Sequence, residues 1–119
     1  MSTSETMEFP IKEFIESDSI EWQVMAPGVK RKILAYDKNL MMVRVEFEKG
    51  GVGTLHQHYH IQMTNIEKGL FEVEINGEKK VLKAGDVFYV PSNLVHGVVC
   101  LEEGTLIDVF NPMREDFIQ

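Results

Sequence analysis

The sequence predicts a single all-β domain, a barrel of the jelly-roll type, and three observations carry that reading. From Ile20 onward apolar residues recur in short runs of strand length, punctuated by Gly, Pro and Asn. Asn76-Gly77 separates two such runs, residues 70–75 and 78–82, and tolerates the positive φ angles of a type I′ turn, which marks a hairpin. The runs number about eight, the strand count of a jelly roll.

In chain order, residues 1–19 read as an N-terminal arm, with one helical turn or an extended stretch near residues 10–16, and residues 20–119 as the barrel with a C-terminal tail. Strands are expected over 32–36, 40–47, 55–67, 70–75, 78–82, 87–91, 97–101 and 105–110, with turns at Lys49-Gly50-Gly51 and at Lys83-Ala84-Gly85-Asp86. Period two puts Phe71, Val73 and Ile75 on one face. In 40–47 the Val43, Val45, Phe47 side is more apolar than the Met42, Arg44 side, so Arg44 is expected outside the barrel. The seven methionines read as adaptable core filler.

Composition closes off several functions. A chain of 119 residues with 44% apolar and 26% charged residues supports one folded core. A formal charge of −7 repels a phosphate backbone, so no nucleic-acid partner is expected. No run approaches the roughly 20 apolar residues that span a bilayer, and MSTSETMEFP lacks a basic segment leading into an apolar one, so no membrane partner and a cytoplasmic location are expected. The lone Cys100 excludes an internal disulfide and a multi-thiolate zinc site; any metal must rely on His and oxygen ligands.

Three of the four histidines crowd into one short stretch. If residues 55–62 are extended, His56, His58, His60 and Gln62 share a strand face, where a metal can sit. A lone His in a strand is usually a solvated polar residue; three on one face fit that description poorly.

The wider spacing is Gly50-x5-His56-x-His58-x3-Gln62-x6-Gly69, followed by Gly85-x5-Pro91-x-Asn93-x2-His96. This resembles the two signature motifs of the cupin superfamily, Gly-x5-His-x-His-x3,4-Glu-x6-Gly and Gly-x5-Pro-x-Gly-x2-His-x3-Asn. The departures are Gln62 for Glu, Asn93 for Gly and Cys100 for Asn. The resemblance implies one divalent metal ion, zinc, nickel, iron or manganese, held by His56, His58, Gln62 and His96. A neutral Gln62 in place of Glu leaves the full 2+ charge available to polarise oxygen. His60 exceeds the usual ligand set and is expected to contact substrate, to orient a ligand, or simply to lie at the barrel mouth.

The C-terminal stretch Asp108-x-Phe110-x3-Arg114 adds a closer likeness, to the KdgF-type uronate cupins of pectin and alginate breakdown. That resemblance implies opening of the ring of 4,5-unsaturated monouronates to linear 5-keto forms. It assigns Asp108 as acid/base and Arg114 as holder of the substrate carboxylate, with Phe110 stacking on the sugar. Leu106, Asp108 and Phe110 share a strand face, so apolar walls around Asp108 would raise its pKa. The partners expected are therefore a small acidic sugar and, because small barrels leave an apolar sheet face and an open edge, a second copy in a homodimer. A metal-dependent dioxygenase and a non-catalytic sugar-binding barrel are the alternatives.

Overall fold

The computed structural model describes residues 12–118. It contains eight antiparallel strands, β1 (Gln23–Ala26), β2 (Val29–Tyr36), β3 (Met41–Phe47), β4 (Val52–His56), β5 (Ile61–Ile75), β6 (Glu78–Lys83), β7 (Val87–Val90) and β8 (His96–Asn111), with short 3-10 turns at Ser17–Ser19 and Glu115–Phe117. Part of the expected arm, residues 1–11, lies outside the described residues; residues 12–16 form no regular element, and the 3-10 turn comes just after them. Among the described residues no helix is long and apolar enough to cross a membrane.

Two long strands organise the rest. The outer half of β8 pairs with β3 while its first half pairs with β4, and β5 pairs with β7 and then with β6 in the same way. Along their whole length β5 and β8 pair with each other, so they run through both layers: β1-β2-β3-β8-β5-β7 on one side and β4-β8-β5-β6 on the other. The shared ribbon bends where its register shifts, between Ile66 and Phe71. Gly69 and Gly104 meet there: a Cβ on Gly69, which has φ +92°, would lie 2.6 Å from the Gly104 Cα, and one on Gly104 would run into the Lys68 carbonyl oxygen. Only glycine lets the two backbones come so close. The sequence reading split each of these strands in two; the structure joins them, because a bend without a break keeps the ladder intact.

Alternation then sorts the side chains. In β5, Gln62, Thr64 and Ile66 are buried while Ile61, Met63 and Asn65 are exposed. Phe47, Ile66, Phe71, Val73, Phe88, Val90, Cys100 and Leu106 form the main core, with Phe47 and Phe71 edge to face at 5.2 Å. Each fully buried side chain of this size contributes about 1.5–3 kcal/mol. Arg44 points outward, its guanidinium bidentate on Glu67 at 2.9 and 3.1 Å. The Asn76-Gly77 hairpin forms as expected, with φ of 51° and 85°. The strand expected over 32–36 is the second part of β2; its start and its hairpin partner β1, joined at Pro27-Gly28, were not among the expected strands.

Candidate metal centre

The expected strand over 55–67 is broken, and the break builds the site. β4 ends at His56, the chain bends at Tyr59-His60, and β5 begins at Ile61. His56, His58 and Gln62 therefore converge across a corner and not along one strand face. The Pro91–Asn93 turn holds the corner in place: Asn93, at φ 68°, donates its backbone N–H to the His58 carbonyl at 2.8 Å. Asn is among the non-glycine residues that best tolerate this left-handed conformation, so it serves where the cupin motif has Gly. The two motifs thus meet physically, and His56 and His96 are direct register partners.

The ligand atoms of His56, His58 and His96 all lie within 4.8 Å of one another. Each ring places Nδ1 against a backbone carbonyl: His56 on Thr54 at 2.8 Å, His58 on His60 at 3.0 Å and His96 on Leu94 at 2.9 Å. A carbonyl only accepts, so each Nδ1 carries the proton and each Nε2 is left with a lone pair. The Gln62 Oε1 lies 3.1 Å from both His58 Nε2 and His96 Nε2. Its orientation is set from the other side, where Gln62 Nε2 donates to Thr64 Oγ1 at 2.9 Å and approaches Asp108 Oδ1 at 3.4 Å. Three ring nitrogens and one amide oxygen, all acceptors, face one another with no proton to share. A cation at their meeting point resolves that conflict, so this donor set fits a metal ion. Burial holds the His58 pKa below its ordinary range and the His96 pKa down to about 4, which keeps these two rings neutral.

Beside this cluster opens a cavity of about 290 Å³, lined by His56, Gln62, His96, Asp108, Phe110 and Arg114 among others. That is the small end of ligand pockets and suits one sugar ring. Asp108, register partner of Thr64, accepts the Thr64 hydroxyl hydrogen bond at 2.6 Å. Burial of its carboxyl pushes the pKa up to about 6, against the pull of Thr64, Arg114 and Gln62. Arg114 is 8% exposed and grips Asp116 with Nε and Nη2 at 3.0 and 2.8 Å, so only its Nη1 edge is left by Asp116 for a ligand. Phe110 packs edge-on to His58 and beneath Arg114, as cavity floor. A larger groove, about 540 Å³, lies outside the barrel, where Arg44 pairs with Glu67 and Lys30 with Glu46.

His60 does not join them. Its ring is 3% exposed, stacks on Tyr59 and meets Glu115 at 3.2 Å, and it is absent from the cavity wall. The bend that brings His58 inward turns the His60 ring toward Glu115, while the His60 backbone carbonyl orients the His58 ring by accepting from its Nδ1. Two residues of the site escaped the sequence reading: Thr64, which lies buried behind the cavity and links Gln62 to Asp108, and Arg31 in the cavity wall. Gln62 and Thr64, two polar residues on the buried side of an alternating strand, were the available signal for the first. Thr64→Val is expected to weaken metal binding about 10–100-fold by freeing the Gln62 amide, with Thr64→Ser restoring it, as read by competition titration against a chelating dye.

A two-layered jelly roll whose mouth carries this histidine cluster is a cupin, and the family model described as a cupin domain matches residues 43–110. The pectin degradation protein KdgF of Dickeya dadantii (strain 3937) is 46% identical over 110 residues, 91% of this chain and 100% of that one. The structure of KdgF from Halomonas sp. superposes with a TM-score of 0.85 at 43% identity, covering 90% of this chain and 99% of that one. An RmlC-like cupin from Shewanella frigidimarina NCIMB 400 gives a TM-score of 0.87 at 41% identity, covering 90% and 96%. The chain belongs to the KdgF family of cupins.

Proposed function

We propose that the protein opens the ring of 4,5-unsaturated monouronates released by pectin or alginate lysis, yielding linear 5-keto-4-deoxyuronates, in the cytoplasm, with residues 20–119 as the working unit. The observation that carries the reading is one small cavity joining an acceptor cluster fit for a cation, a buried carboxyl and an arginine. The likeness to KdgF proteins supports it.

In such a substrate the ring oxygen is bonded to an alkene carbon, so breaking the bond from the anomeric carbon to that oxygen expels an enolate. A divalent ion held by His56, His58, Gln62 and His96 would supply Lewis-acid stabilisation of that developing charge. Asp108 takes the proton of the anomeric hydroxyl as the bond breaks and returns one to the carbon next to the new carbonyl. The transfers cancel, and the reaction is an isomerisation. A carboxyl with a pKa near neutrality is suited to both. Arg114 orients the substrate carboxylate through its Nη1 edge, and Phe110 shapes the floor.

The test mixes purified protein with lyase-generated unsaturated monouronate and follows the loss of conjugated ultraviolet absorbance. Undiminished turnover without oxygen separates this activity from a dioxygenase. Binding without turnover would leave a non-catalytic sugar-binding barrel instead.

The reading includes a homodimer. Met42, Val109, Met63 and Tyr89 are successive register partners across four strands on the outer sheet face. Met63 is 52% and Tyr89 49% exposed. A second copy covers such a row by symmetric pairing. Met63→Glu is expected to give a folded monomer by light scattering.

A further inference from the structure

The inward face of β2 runs Val29, Arg31, Ile33, and Arg31 stands opposite Val45. A half-buried arginine between aliphatic neighbours on a cavity wall sits at an energetic disadvantage unless something meets its charge. Arg31 lines the same cavity as Asp108 and Arg114. The Arg31 and Arg114 guanidinium carbons lie 3.8 and 4.3 Å from the centre of the Phe117 ring, which is itself edge-on to Phe110 at 5.7 Å. One aromatic ring therefore braces two planar cations at the cavity wall.

Their counter-charges are uneven. Arg114 holds Asp116 with two hydrogen bonds, whereas the Arg31 Nε donates to the neutral Gln23 Oε1 at 2.9 Å. Burial and the charge of Arg114 both press the Arg31 pKa downward, and only Asp116 opposes them. In a chain carrying −7 overall, with acidic residues in excess, two arginines share this wall and one of them forms no ion pair among the described residues. An anion entering between them relieves the repulsion.

We propose that Arg31 is a second contact for the ligand's carboxylate, and that Arg31 and Arg114, braced on Phe117, form the subsite that selects an acidic sugar over its neutral counterpart. The proposal rests on the uronate reading and adds a specificity residue to it. Arg31 acts on binding and orientation and takes no part in proton transfer.

The test compares wild type with Arg31→Met and Arg31→Gln, which remove the charge, and with Arg31→Lys, which keeps it without the planar fork. Steady-state rates on the unsaturated monouronate, and calorimetric binding of galacturonate against galactose, are measured alongside metal content and melting temperature. Expected for the uncharged variants is a KM raised about 10–100-fold, the worth of a charged hydrogen bond, with kcat within about threefold and most of the preference for galacturonate gone. Arg31→Lys recovers part of both. A folded, metal-loaded uncharged variant with the wild-type KM and preference would overturn the proposal, and so would one that loses kcat alone. If the wild type proves inactive, the ring-opening reading fails by itself, and the galacturonate preference still decides Arg31.

Discussion

Asp108→Asn is expected to lower turnover of the unsaturated uronate by about 10²–10⁴-fold, the usual contribution of a positioned acid/base, with metal content unchanged. The same substitution should stabilise the metal-free fold at neutral pH. The Asp108 carboxyl sits at about 6 in the folded chain against an ordinary 3.8, because burial disfavours the charged form more than Thr64, Arg114 and Gln62 favour it. The folded state thus binds this proton more tightly than the unfolded chain does. Stability from this group is complete below 3.8 and is lost as pH rises through about 6. Above that the buried carboxylate costs about 2–3 kcal/mol. Asn keeps an Oδ1 to accept from Thr64 and carries no charge. Urea denaturation of chelator-treated proteins should therefore show the two nearly equal at pH 4 and the variant ahead by that margin at pH 7. A variant with full turnover would remove Asp108 from the chemistry; a stability difference independent of pH would contradict the buried, ionisable carboxyl.

Such a trade of stability for reactivity marks where local patterns in the sequence carry over to the structure and where they stop. Period two placed Leu106, Asp108 and Phe110 on one inward face, and they line the cavity together. The same rule failed over 55–62, because it assumes an unbroken strand. The bend at Tyr59-His60 depends on Asn93, remote in sequence, capturing the His58 carbonyl. His58 reaches the cluster through that long-range bond, and His60 leaves it for Glu115. Arg31 was hidden for a similar reason. Its inward aim follows from the register of β2 between β1 and β3, and its role from the tail that folds Phe117 over the cavity. Neither is a property of neighbouring residues. The glycine and histidine spacings were legible because they encode backbone conformation and ligand type directly, while the identity of the wall opposite the metal centre depends on how distant segments close over it.

Loading the centre is expected to be the largest single stabilisation available to this fold. The His56, His58 and His96 Nε2 atoms and the Gln62 Oε1 are held together by bonds on their far sides, so without a cation the four lone-pair groups repel at close range. Binding only to the folded state at a free metal concentration about 1,000-fold above Kd adds about 4 kcal/mol. For a domain of this size that raises Tm on the order of 15 °C. Chelator-stripped protein should show that rise on addition of zinc, nickel or manganese, and activity should return with it. His96→Ala removes the most buried of the three rings and leaves the others too few to hold the ion against competing chelator. It should lose both the thermal shift and the activity, while its metal-free Tm stays near that of the stripped wild type, since one of the repelling lone pairs is gone. A stripped wild type that melts at the same temperature with and without divalent metal would show that the four acceptors meet for some reason other than a cation.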